Sequence, residues 1–262
     1  MNILDTIIAH KEIEVAEAKK AVPVSELKQR QLYNRTPFSL KQFLNDETKT
    51  GIIAEFKRQS PSKGIINNQV DVAEVTKAYT LHGASCLSVL TDQKFFGGNA
   101  DDLAAARVNN IPILRKDFMI DEYQVDEARA MGADVILLIA ACLTPQRVKE
   151  LAIYAKTLQL EVLLEIHNED ELQHICDETE IVGVNNRDLK TFVVDINRSI
   201  ELSKKIPADK IKIAESGIND VETICIFRRA GFKGFLIGEN FMKQADPTIA
   251  FASFVQQLKA KA

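Results

Sequence analysis

The sequence predicts an α/β fold: a single (β/α)8 TIM barrel carrying an N-terminal helical extension. Three observations predict it. Eight short, β-branched segments, almost free of charge, alternate with amphipathic ones, the pattern of a parallel sheet covered by helices. Polar residues gather where these segments stop rather than along them. The length, 262 residues, is that of one such barrel. A doubly wound open sheet is the competing arrangement, and the dinucleotide fingerprint that often accompanies it is absent.

Residues 1–45 form the expected extension, with the whole chain 1–262 read as one domain. Ile3, Ile7, Ile8 and Val15 recur at helical spacing, with Lys/Glu pairs on the other face. Pro23 ends or restarts that helix, and Ser25 is a candidate N-cap. Ser39–Leu44 reads as one more short helix. The strands follow as Gly51–Phe56, Cys86–Leu90, Ile111–Leu114, Asp134–Ile139, Glu161–Ile166, Ile181–Val184, Ile211–Ala214 and Gly234–Ile237. Helices between or after them include Asp71–His82, Asp121–Met131, Pro145–Leu158, Asn219–Arg229 and Pro247–Leu258. Gly83, Gly132 and Gly231 stand at helix-to-strand joints, where a left-handed residue closes the helix. No Pro/Gly/Ser-rich linker divides the chain.

Lys and Arg total 33 against 37 Asp and Glu, and the basic residues are scattered. A sequence-independent grip on nucleic acid needs a basic face, so no nucleic-acid partner is expected. The cysteines Cys86, Cys142, Cys176 and Cys225 form no CxxC pair and sit in or beside apolar runs, as buried thiols in a reducing compartment do. The start mixes acids and bases with no apolar signal region, and the longest apolar run, Val135–Leu143, is too short for a bilayer. A cytoplasmic protein without a membrane partner is expected. His10, His82, His167 and His174 lack metal-ligand spacing, so no metal is expected, and His167 is assigned a structural role.

The strand ends carry Glu55 and Lys57, Thr91 and Asp92, Arg115 and Lys116, Glu165 and His167, Asn185 and Arg187, and Glu215 and Ser216. In a parallel barrel all strand C-termini share one face, where barrel enzymes keep their active sites. Glu55 and Lys57 are two apart, so both point to the same side of their strand. One such pair can be an ion pair plugging the barrel, but six polar ends in register are better explained by a shared site. Gly217 follows the seventh strand, and Gly238 and Glu239 follow the eighth. Glycine lets backbone N–H groups approach an anion, and barrels often bind phosphate in these two loops. The Glu239 carboxylate is expected to turn away from that phosphate.

The run Ile52-Ile53-Ala54-Glu55-Phe56-Lys57-Arg58-Gln59-Ser60-Pro61-Ser62-Lys63-Gly64 resembles the first strand and loop of indole-3-glycerol-phosphate synthases. Leu87–Asp92 with Phe95–Gly98, Leu114–Phe118, Leu164–His167, Val184–Leu189, Glu215–Ile218 and Gly238-Glu239 continue the resemblance along essentially the whole chain. The resemblance implies an enzyme of tryptophan biosynthesis, a carboxy-lyase. Its substrate is 1-(2-carboxyphenylamino)-1-deoxyribulose 5-phosphate, and it closes an indole ring with loss of carbon dioxide and water. No cofactor is implied, and a monomer is expected.

By that resemblance Lys116 is the general acid that polarises the ribulose carbonyl. Glu165 is acid or base in dehydration, Lys57 a second proton donor or a carboxylate or phosphate contact, and Glu55 the organiser of Lys57. The residues leave open which lysine serves which step. Asn185, Arg187, Glu215 and Ser216 would hold hydroxyls and the anthranilate carboxylate, which suits an Arg fork. Ser60 would add a contact from a closing loop, and Phe96, Phe118 and Leu138 would sandwich the aromatic ring. Two rivals fit the same strand ends: a Schiff-base lyase with Lys116 as nucleophile, and a phosphosugar-binding barrel without catalysis.

Overall fold

The computed structural model describes residues 3–188 and 193–261. Leu189, the last residue of the fifth resembling motif, lies outside them. The barrel strands are β1 (Ile52–Phe56), β2 (Cys86–Leu90), β3 (Ile113–Lys116), β4 (Val135–Ile139), β5 (Glu161–Ile166), β6 (Ile181–Asn185), β7 (Ile211–Glu215) and β8 (Gly234–Ile237). All neighbouring pairs are parallel, and β1 pairs with both β2 and β8, so the sheet closes. The expected (β/α)8 barrel is therefore present. β3 starts at Ile113, two residues later than the sequence suggests, because Pro112 has no N–H to give the ladder. It also runs on through Lys116, so that residue belongs to the strand itself.

Strand alternation divides the side chains into two layers. Ile53, Cys86, Leu114, Leu137, Leu163, Ile181, Ile213 and Leu236 fill the barrel interior. Their neighbours Ile52, Ala54, Leu87, Ile113, Ile136, Leu138 and Leu164 face the outer helices. Both layers are predominantly apolar, with Ser88 of β2 a buried exception, which is why the strands read as nearly unbroken hydrophobic runs.

The extension comprises α1 (Ile3–Ala21), α2 (Val24–Leu27), a 3-10 turn at Gln31–Asn34 and α3 (Leu40–Asn45). Ser25 does not cap α2: it lies inside that helix, and Pro23 occupies the cap position without a side-chain bond. Ser39 does cap α3, accepting from the Gln42 N–H. Leu40 and Leu44 of α3 join the interior cluster and close the barrel end where the strands begin. The outer helices are α4 (Val72–Leu81), α5 (Gln93–Phe96), α6 (Ala100–Ala106), α7 (Glu122–Met131), α8 (Pro145–Thr157), α9 (Ile196–Ser203), α10 (Val221–Arg229), α11 (Glu239–Met242) and α12 (Pro247–Lys259). Asp or Asn caps most of them; at α10 the cap is Asp220, so that helix starts at Val221 and not at Asn219. Between β5 and β6 the chain forms only a 3-10 turn, Glu169–His174. Gly83, Gly132 and Gly231 all take positive φ at the joints, as expected.

Candidate active site

The barrel mouth is built by continuing the inward phase of each strand past its apolar residues. Ile53 is inward on β1, so Glu55 and Lys57 are inward too. Leu114 sets the phase for Lys116, Leu163 for Glu165, Ile181 for Asn185, and Ile213 for Glu215. Arg115 takes the opposite phase and bonds to Thr91, Asp117, Glu127 and the Gln124 carbonyl behind the barrel wall.

The inward groups form one charged network. Lys57 Nζ lies 2.7 Å from Glu55 Oε1. Lys116 Nζ lies 3.6 Å from Glu165 Oε2, and Asn185 Nδ2 donates to Glu165 Oε1 at 3.0 Å. Burial alone would push the Lys116 ammonium down, but Glu165 first and then Glu55 outweigh it and hold the group charged, above its ordinary value. Burial likewise works against an ionised Glu165, yet Lys116, His167 and Asn185 hold that carboxyl well below the usual range. Glu215 goes the other way: burial first, then the Glu165 charge, push its carboxyl well above the ordinary value. Two adjacent buried carboxyls cannot both ionise cheaply, so the proton is favoured on Glu215 over Glu165.

Two glycines make room for these carboxyls. A Cβ on Gly183 of β6 would lie 2.0 Å from Glu215 Oε1, and one on Gly238 would lie 2.6 Å from Glu55 Oε1 and 2.8 Å from Glu55 Cβ. Gly238, singled out as a phosphate-loop glycine, thus also has a packing reason. Ser216 and Gly217 both take positive φ, 68° and 69°. At Gly217 a side chain would also strike Val194 Cγ1 at 2.3 Å.

A cavity of about 200 Å³ opens beside this network. Glu55, Lys57, Lys116, Asn185, Arg187, Glu215, Ser216, Gly217, Gly238 and Glu239 all line it. Glu165 lies behind its wall, paired with Lys116 and bonded by Asn185. Glu239 lines the cavity with its carboxylate engaged by cations. It starts α11 and is paired with Arg187 at 3.4 Å and Lys63 at 3.9 Å, which offset its charge at the mouth. Ser60 is buried in a two-stranded hairpin, Gln59–Ser60 with Gly64–Ile65, and its hydroxyl has no protein partner. Phe96 and Phe118, on the loops after β2 and β3, stack at a tilt with centroids 5.9 Å apart, outside the cavity lining. Leu138 is not brought to the mouth: it is fully buried on the outer face of β4. Its neighbours Leu137 and Ile139 are the inward residues of that strand.

Three features were not foreseen from the residues. Lys11 of α1 is fully buried and pairs with Asp92 at 3.1 Å and Asp117 at 2.9 Å, tying the extension to the loops after β2 and β3. Its i±4 spacing from Ile7 and Val15 is the signal that could have found it, although Lys19 shares that phase. Gly183 gave a weak signal, as the one glycine inside a β-branched strand. His167, given a structural role, stands against Glu165, its Nε2 3.0 Å from Oε1.

A family profile described as indole-3-glycerol phosphate synthase matches residues 4–254. The chain is 45% identical over 261 residues to the indole-3-glycerol phosphate synthase of Bacteroides thetaiotaomicron, covering 98% of this chain and 99% of that one. It is 43% identical to that of a Polaromonas species (96% and 97% covered) and 41% identical to that of Bordetella pertussis (97% and 99% covered). The solved structure of 3-hexulose-6-phosphate synthase superposes with a TM-score of 0.61 at 16% identity, covering 80% of this chain and 98% of that one, a likeness of fold alone. With a family match and relatives that run nearly end to end, this chain belongs to the indole-3-glycerol phosphate synthase family.

Proposed function

We propose that the chain converts 1-(2-carboxyphenylamino)-1-deoxyribulose 5-phosphate to indole-3-glycerol phosphate, with Lys116 as the principal acid. The observation that carries this reading is the Lys116 ammonium, held charged among three carboxyl groups at the mouth of the barrel and beside an open cavity. A charged ammonium can protonate the ribulose carbonyl oxygen as the ring carbon bearing the carboxylate attacks the carbonyl carbon. Carbon dioxide then leaves, and its bonding electrons return to the ring. In the last step the new hydroxyl departs as water after protonation, and a proton is removed from the neighbouring carbon. Glu165, ionised by its neighbours, suits that removal. Lys57, paired with Glu55, is placed on the cavity wall to protonate the leaving hydroxyl.

The loops at Ser216-Gly217 and Gly238-Glu239 also line the cavity and are assigned to the phosphate. Asn185 and Glu215 are assigned to the hydroxyls and Arg187 to the anthranilate carboxylate, for which it exchanges its pairing with Glu239. Phe96 and Phe118 are assigned to the aromatic ring, with Ser60 delivered by the hairpin loop after β1. The Schiff-base alternative needs Lys116 as a neutral amine, and its carboxyl neighbours oppose that state.

The test is to mix purified protein with the carboxyphenylamino substrate and follow indole fluorescence. Turnover to the indole product is expected. Saturable binding without any indole would leave a phosphosugar-binding barrel as the better account.

A further inference from the structure

The residue after β5 is His167, two positions beyond Glu165, so both side chains leave the strand on the inward side. The imidazole is almost fully buried and sits between two carboxylates. Nδ1 is 3.3 Å from Glu171 Oε2, within hydrogen-bond geometry, and Nε2 is 3.0 Å from Glu165 Oε1, an ion-pair contact without hydrogen-bond alignment. Glu171 is itself held: its Oε2 accepts from the His167 backbone N–H at 2.7 Å and its Oε1 from Asn168 Nδ2 at 2.8 Å. The 3-10 turn that carries Glu171 is fastened in turn by His174, whose ring nitrogens meet the carbonyls of Glu171 and Leu143.

Ionised carboxylates only accept hydrogen bonds, and a neutral imidazole has one donor nitrogen. With Nδ1 bonded to one carboxylate and a second carboxylate oxygen 3.0 Å from Nε2, the attraction of both charges favours the imidazolium. We propose that His167 is a positioning residue for the reaction: as a cation bridging Glu165 and Glu171, it pins Glu165 Oε1 and leaves Oε2 facing Lys116. The proposal rests on the reading of Glu165 as a working carboxylate. Burial works against the imidazolium, but the two glutamates prevail and raise its pKa to about 10.

The charged and titratable groups around this bridge are Glu165 and Glu171, then Lys116 and Glu215 beyond Glu165, and the Cys142 thiol on the turn after β4. Burial, then Glu165 and Glu171, push that thiol far above its ordinary value, so it stays neutral. Lys116 is held charged, so across the acidic range the bridge cation and Lys116 act together to keep Glu165 ionised. Removing the His167 charge lets the Glu165 carboxyl hold its proton to higher pH.

The experiment compares kcat and KM against pH for the wild type, His167→Gln, Glu171→Gln and Glu165→Gln. Glutamine at 167 keeps a donor but no charge. The acidic limb of the kcat profile in His167→Gln should move upward by about one pH unit, the scale of a lost charge partner. KM should stay within about twofold, because the residue does not line the cavity. Glu171→Gln, a replacement of the same shape nearer the surface, should move the limb the same way by less. It carries the test if the 167 variant does not fold. A purely structural histidine would instead lower stability or lower kcat equally at every pH. An unmoved acidic limb in both variants, with Glu165→Gln inactive, overturns the positioning role. Wild-type turnover in Glu165→Gln would remove the assignment of Glu165 itself, and the bridge with it.

Discussion

At the scale of single residues, the site is governed by which charges survive burial. A lone buried lysine loses its proton readily, and a lone buried carboxyl keeps its own. Here Lys116, Glu165 and Glu215 are close enough to bias one another: the lysine is held toward its charged form, the Glu165 carboxyl is held low and that of Glu215 is pushed up. The titrations are therefore linked, and a change at Lys116 is a change to the whole group. Lys116→Ala should lower kcat by about 10²–10⁴-fold, the usual contribution of a positioned acid. The far-UV circular dichroism should stay that of the wild type. A variant with unchanged kcat would show that another group donates the proton.

At the scale of elements, the carboxyls are seated by absences on neighbouring strands. Gly183 is an inward position of β6 in register with Ile213 of β7, and it carries no side chain where the carboxyl of Glu215, two residues further along β7, lies. The atom a new Cβ would strike is the far end of the Glu215 side chain, which can move. Gly183→Ala should therefore displace the carboxyl more than it disturbs the fold. We expect kcat/KM to fall by on the order of 10²-fold, as misplacement by about 1 Å can cause. The melting temperature should change by only a few degrees, roughly what a 1 kcal/mol perturbation gives at this size. Wild-type kinetics in this variant would mean that the seat of Glu215 is not required. The phase of β4 shows the limit of reading elements from sequence. Val135–Ile139 is VILLI, buried on both faces, so no polar residue marks the inward side. That is why Leu138 was expected at the mouth and is found behind it. On β1 the pair Glu55/Lys57 marks the phase directly.

At the scale of the whole molecule, the extension holds the barrel at both ends. α3 contributes Leu40 and Leu44 to the interior where the strands begin, and α1 inserts Lys11 between Asp92 and Asp117 where β2 and β3 end. The Asp117 loop also carries Phe118 and follows Lys116, so the clamp bears on the site as well as on stability. Removing one partner of a buried ion cluster leaves uncompensated charge, at a cost of about 3–5 kcal/mol. Lys11→Met should lower the urea midpoint accordingly, with the slope of the transition unchanged. An unaltered midpoint would show that the two aspartates are satisfied without the lysine, Asp117 by Arg115 and Thr91.

By itself the sequence determined the alternation of eight strands with helices, which favours a closed barrel over an open sheet, and the set of polar residues at the strand ends. Those follow from periodicity: apolar strands alternating with amphipathic helices leave few ways to close a parallel sheet, and closure brings all strand ends together. The resembling motifs added a reaction. Only the tertiary structure decided which side of an all-apolar strand faces in, which lysine of α1 is buried, that Glu239 is paired by Arg187 and Lys63, and that His167 bridges two glutamates. Each of these depends on distances between residues far apart in the chain, or on a register that no local pattern encodes. The charge states of Lys116, Glu165 and Glu215 depend on the same distances, because burial and neighbouring charge are both properties of the folded mouth.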